Sequence, residues 1–159
     1  IRRQRQMCIR DRKEFSMKIS TKGRYALRLM LDLAANSQHE YTPVKEISLR
    51  QDISDKYLEQ IIGRLSKAGL VQSARGAQGG YKLTKAPSEC TVGEILRVLE
   101  GDLAPVACAA SVHPALCPRL DDCVTTEVWR RIGEAINNVV DNITLADLLK
   151  WQEEKCCCK

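Results

Sequence analysis

Between Thr21 and Gln38 the apolar residues Tyr25, Leu29, Met30, Leu33 and Ala34 recur at intervals of three and four, the signature of an amphipathic helix with one buried stripe. Thr42 and Pro43 read as a cap and first-turn pair opening a second, short helix from Pro43 to about Arg50, with Val44, Ile47 and Leu49 turned inward. Ser54 is placed to cap a third helix that has Asp55 in its first turn. Its stripe is Leu58, Ile61, Ile62 and Leu65, and Gly69 ends it. The period then changes. "LVQSARGAQGGYKLTK" is two β-prone runs around a turn containing Gly76, Gly79 and Gly80, which predicts a hairpin.

Beyond Pro87, Thr91 and Glu94 form a capping-box pair for a helix through Val92, Ile95, Leu96 and Leu99, stopped by Gly101. No period is visible from there to Cys123. A long stripe resumes with Val128, Ile132, Ala135, Ile136, Val139, Val140 and Ile143, and Thr144 can cap a last helix through Leu148 and Leu149. So long a stripe on so small a chain asks for a partner surface. Nothing after Trp151 has a period, so residues 153–159, with Cys156, Cys157 and Cys158, are expected to be a disordered tail. The predicted fold class is mainly α with a small β-hairpin wing: a winged helix-turn-helix domain plus a long dimerisation helix.

Charge sharpens the picture. The chain of 159 residues carries a formal net charge of +5, but the surplus is uneven. Residues 17–86 hold twelve Lys/Arg against six Asp/Glu, while residues 87–159 hold seven against twelve. Two short helices joined by "QDI", followed by a hairpin, match the layout in which a second helix enters the major groove and a wing lies beside it. On that helix Lys56, Tyr57, Glu59 and Gln60 are the expected exposed readers. Order and basic charge together point to double-stranded DNA.

Cysteine content bears on the other half. No apolar run approaches membrane-spanning length and no signal peptide is recognisable, so the chain is read as cytoplasmic and its eight cysteines as reduced. "CAASVHPALCPRLDDC" sets Cys108, Cys117 and Cys123 on one aperiodic segment, with eight and then five residues between them. Thiolates favour iron–sulfur clusters, zinc or Cu(I), but this spacing is looser than a CxxC pair and on its own also suits three free thiols.

The runs "MKISTKGRYALRLMLDLA", "ISDKYLEQIIGRLSKAGLVQSARGAQGGYKL" and "DNITLADLL" resemble the Rrf2 family of bacterial winged-helix regulators, especially its IscR-like, iron–sulfur type. The resemblance covers Met17 to about Trp151. It implies a homodimeric transcriptional regulator, a repressor type, bound to a pseudo-palindromic operator, with translation starting at Met17 and residues 1–16 a leader without family counterpart. It further implies that Ser20, Thr21, Lys22 and Tyr57 lie near phosphates and that Lys56, Glu59 and Arg75 read bases. Glu59 suits a cytosine amino group, and Arg75 a guanine edge or a narrow minor groove.

The same resemblance implies a cluster, 2Fe-2S or 4Fe-4S, on Cys108, Cys117 and Cys123, with zinc as the alternative. The histidine found in IscR three residues after the third cysteine is replaced here by Thr126, so His113, Asp121, Asp122 and Glu127 are the candidate fourth ligands. The segments read from the sequence are thus a leader (1–16), a DNA-binding domain (17–86), a linker helix with the cysteine loop (87–123), dimerisation and C-terminal helices (124–152) and the tail. Two rival classes remain. An enzyme with Cys117 as nucleophile and His113 as base lacks an orienting third group, and an iron–sulfur carrier or electron-transfer protein leaves the winged helix without a purpose.

Overall fold

The computed structural model describes residues 19–37, 41–76, 79–110 and 120–157. These fall into two compact units, one of residues 19–101 and 136–157, the other of residues 102–110 and 120–135.

In the first unit, α1 (Thr21–Ala35), α2 (Val44–Gln51) and α3 (Asp55–Lys67) are followed by the antiparallel pair β1 (Val71–Ala74) and β2 (Gly80–Leu83), then by α4 (Val92–Glu100). The long helix α5 (Thr125–Asp141) and the last helix α6 (Leu145–Cys157) complete the chain. The expected stripes are the core: Leu29, Met30, Ile47, Leu58, Ile61, Ile62, Leu65, Ile95 and Leu145 are the largest fully buried side chains. α1 packs against α3, α4 and α6. Pulling these stripes out of water is the main stabilising term, roughly 1.5–3 kcal/mol for each large aliphatic side chain.

The turns follow local rules. α3 ends in a Schellman motif: Gly69 has φ of +75°, Leu70 N–H donates to the Leu65 carbonyl at 2.9 Å and Gly69 N–H to that of Ser66 at 3.0 Å. Between α2 and α3, Asp52 takes the left-handed conformation at φ 52°, which aspartate tolerates better than most residues. The Thr91–Glu94 box closes reciprocally as expected, and Thr144 and Asp147 do the same for α6.

The structure corrects four readings. α1 stops at Ala35, where Asn36 Nδ2 donates to the Asp32 carbonyl, and Gln38 lies outside the described residues. Leu49, expected inside, is 84% exposed; two positions from buried Ile47 on a helix is about 200° of rotation, the opposite face. Thr42 does not cap α2. It is buried and pairs with Tyr81, N–H to carbonyl, in both directions at 3.0 and 2.9 Å, so it adds a bridge to the wing, and Pro43 takes the cap position. The supposed disordered tail is helical as far as Cys157, because the Thr144–Asp147 cap nucleates α6 and Leu145 anchors it in the core. Residues 158 and 159 lie outside the described residues.

Candidate DNA-binding surface and cysteine segment

The stripe that buries Leu58, Ile61 and Ile62 necessarily turns Lys56, Glu59 and Gln60 outward, and all three are exposed. Tyr57 is half-buried. Its ring meets Tyr25 of α1 edge-on with centroids 5.7 Å apart, and the Arg28 guanidinium lies 5.4 Å from the Tyr25 centroid, so the tyrosine is oriented by α1.

At the start of α1, Ser20 is the N-cap, its Oγ accepting from Lys22 N–H at 3.1 Å. Thr21 and Lys22 are exposed in the first turn. Lys22, Tyr57, Gln60, Ile61, Arg64 and Leu99 line one cleft of about 230 Å³. Ser20–Lys22 and the first half of α3 are thus joined through a shared, cation-lined depression. Arg64 was missed by sequence reasoning. It stands seven positions after Tyr57 on the same face, a spacing that could have found it.

Arg75 is exposed at the end of β1, just before Gly76 at φ +115°. The register Val71↔Leu83 to Ala74↔Gly80 fixes where that turn falls. Gly80 is required there, because a Cβ would collide with the Thr42 carbonyl. Ser54 makes no side-chain cap bond, and α3 begins from its backbone carbonyl, which accepts from Tyr57 and Leu58.

Of the cluster candidates, Cys108 lies in the 3-10 turn Ala107–Ala109 and Cys123 two residues before α5. Both are half-exposed free thiols. Cys117 and His113 lie outside the described residues. Among the described residues no three His, Cys, Asp or Glu side chains converge as a metal site. The Cys123 sulfur is 3.1 Å from the Thr125 hydroxyl, and that contact, then the neighbouring Thr126 hydroxyl, holds its pKa below the ordinary thiol value. Thr126 Oγ1 is buried without a hydrogen bond of ordinary geometry among the described residues.

Of the candidate fourth ligands, Glu127 is ion-paired on the surface of α5. Its carboxylate accepts from Arg130 at 2.7 and 2.8 Å and from Arg131 at 2.8 Å, which holds its pKa down at about 2. Asp121 and Asp122 are exposed. Cys90 is the opposite kind of thiol, 2% exposed, with burial first and the nearby Glu94 second pushing its pKa up to about 11. Near neutral pH, iodoacetamide is therefore expected to alkylate Cys123 more than about a hundredfold faster than Cys90, since each pKa unit is a tenfold change in thiolate. Peptide mass spectrometry over time checks this, and equal rates would contradict the burial of Cys90.

Among the described residues no helix is long and apolar enough to cross a membrane. Residues 19–151 match the family model of Rrf2, an iron-dependent transcriptional regulator. The chain is 42% identical over 137 residues to the HTH-type transcriptional regulator CymR of Bacillus subtilis, covering 86% of this chain and 93% of that one. It is equally identical, over the same length, to the regulator IscR of Serratia proteamaculans, covering 82% of it. Among solved structures, T. potens IscR superposes with a TM-score of 0.71 at 45% identity, covering 87% of this chain and 90% of that chain. CymR of B. subtilis, described as the global cysteine regulator, superposes at 0.67 and 43%, covering 84% and 97%. These relatives are regulators of transcription and not enzymes. The helix-turn-helix, the hairpin beside it and these matches agree, and the chain belongs to the Rrf2 family of winged-helix transcriptional regulators.

Proposed function

We propose that this DNA-binding regulator senses through Cys108, Cys117 and Cys123, which would hold an iron–sulfur cluster whose presence changes its affinity for a pseudo-palindromic operator. The observation that carries the reading is the pair of free, half-exposed thiols, Cys108 and Cys123, at the two ends of an aperiodic segment. Cys123 is moreover biased toward the thiolate that soft metals require. The donor chemistry of these residues fits the group. A bound cluster would supply a centre labile to oxidants and nitric oxide, the more so where the fourth ligand is not a thiolate.

The chain's own residues do the rest. Lys22 and Tyr57, with Ser20 and Thr21, would meet backbone phosphates, and Lys56, Glu59 and Arg75 would read bases. Residues 17–86 serve as the DNA-binding domain, 87–123 as linker helix and cysteine loop, and 124–152 as the dimerisation part, in a cytoplasmic homodimer. The fourth position falls to His113, Asp121, Asp122, Glu127 or a small exogenous ligand. Coupling of about 1–3 kcal/mol between the two states would change operator affinity several-fold to a hundred-fold.

A second reading keeps the DNA-binding fold and makes the cysteines a thiol switch or a zinc site. The lowered pKa of Cys123 favours the thiol form of it. Anaerobic absorption spectra with iron, sulfide and zinc analysis separate the two. A brown protein containing iron and sulfide, bleached in a Cys108→Ala, Cys117→Ala, Cys123→Ala variant, is the expected result. A colourless, iron-free protein after anaerobic reconstitution would leave the thiol or zinc reading.

A further inference from the structure

The first turn of a helix presents N–H groups without helical partners. In α1 the N-cap Ser20 and the N–H of Gly23 are held from outside by a carboxylate far along the chain. Glu100 Oε1, on the last residue of α4, accepts from Ser20 Oγ at 2.7 Å, from Ser20 N–H at 3.1 Å and from Gly23 N–H at 3.1 Å. The fit is close: a Cβ at position 23 would meet Glu100 Oε1, so an alanine there would displace the carboxylate. One residue earlier, the Leu99 carbonyl accepts from Arg64 of α3 at 3.2 Å. The last turn of α4 is therefore clasped to α1 and α3, two of the elements that carry the candidate DNA contacts.

That turn is also where the chain leaves for the cysteine unit. Gly101, at φ +83°, ends α4, and Asp102 begins the other unit. The returning helix α5 is fastened to α4 as well: Arg97 donates to Asn137 Oδ1 at 2.7 Å and to the Asp141 carboxylate at 2.6 and 2.8 Å. Both covalent connections to the cysteine unit are thus tied to one helical turn, and Glu100 bonds that turn to the start of α1.

We propose that Glu100 is a positioning residue that sets the Ser20–Lys22 turn against the DNA backbone and passes the state of the cysteine segment to it. The proposal rests on the reading that DNA affinity responds to Cys108, Cys117 and Cys123. Rearrangement of that segment would pull on Gly101 and shift the Glu100 carboxylate. Since Ser20 Oγ and Gly23 N–H donate to that carboxylate, the turn would move with it.

The test uses the full chain and a duplex it selects from a random-sequence library. Affinity by fluorescence anisotropy is compared between the anaerobically iron- and sulfide-reconstituted protein and the same chain carrying Cys108→Ala, Cys117→Ala and Cys123→Ala. The wild-type ratio of the two is expected to be several-fold or more. Glu100→Ala is expected to reduce it below about twofold, whereas Glu100→Gln, whose amide oxygen still accepts, retains most of it. Gly23→Ala disturbs the same contact from the other side and is expected to reproduce the Glu100→Ala result with a thermal midpoint close to wild type. It carries the test if Glu100→Ala does not fold. Folded Glu100→Ala or Gly23→Ala protein that keeps the full wild-type ratio overturns the coupling alone. A wild-type chain with equal affinity in both states overturns the cysteine-sensing reading and the coupling with it.

Discussion

Arg50→Ala is expected to lower the unfolding free energy by about 3 kcal/mol, more than Asp32→Ala, although the two remove opposite ends of one ion pair. Asp32 sits in α1 with its side chain 4% exposed. Its carboxylate accepts from Arg50 Nε at 3.0 Å, from Arg50 Nη2 at 2.7 Å and from Gln51 Nε2 at 3.0 Å. Arg50 is 36% exposed at the other end. Deleting the arginine leaves a buried carboxylate with Gln51 alone among the described residues, and a buried charge without its partner is among the costliest single defects. Deleting the aspartate releases an arginine that can turn back to water and to Glu46, its other partner at 3.3 Å. That loss is expected at about 1–2 kcal/mol, in the range of lost charged hydrogen bonds. Urea unfolding of both variants and of the double variant reads the order. A double variant costing less than the sum would show that the pair acts as a unit, whereas Asp32→Ala costing more than Arg50→Ala would reverse the assignment. The clamp joins α1 to the end of α2, so its loss should also loosen the turn into α3.

Much of this fold is legible because local signals and burial agree. The Leu58–Leu65 stripe, the Gly69 stop and the Thr91–Glu94 box each specify their own element, and each acts within a few residues. What is not legible depends on distant contacts. Thr42 looks like a cap until Tyr81, thirty-nine positions on, claims both of its backbone groups. Asp32 reads as a solvated charge on an amphipathic helix, and only the approach of Arg50 and Gln51 allows it to be buried. Glu100 ends a helix beside a glycine, an ordinary place for an exposed acid; its role follows from the tertiary fold that brings the first turn of α1 to it.

The candidate site divides the same way. The outward placement of Lys56, Glu59 and Gln60 follows from the helical period alone, whereas the cleft that adds Arg64 to Lys22 and Tyr57 needs α1, α3 and the end of α4 together. In the cysteine segment the residue types suggest the chemistry, and the arrangement is not legible from their spacing. Glu127 has the sequence position of a ligand, and two arginines within one turn of its own helix pair with it.

Val128→Glu with Val139→Glu is expected to turn the proposed dimer into a monomer while leaving the chain folded. The two valines are eleven residues apart on α5, three turns and about 16 Å along one face, and they are 51% and 57% exposed in the single chain. No residue of α5 is fully buried, although its stripe continues through Ile132 and Ile136 between them. A stripe packed within its own chain would not leave those positions open, and one covered by a second copy would. Two carboxylates per chain in that contact would be desolvated without partners. Sedimentation equilibrium should show monomers, and circular dichroism unchanged helix content. Operator affinity should then fall by about a hundredfold or more, since two linked recognition helices gain that much from effective concentration. A double variant that remains dimeric would place the interface elsewhere. A wild-type monomer at micromolar concentration would remove the two-half-site reading of the operator and leave each α3 to bind alone.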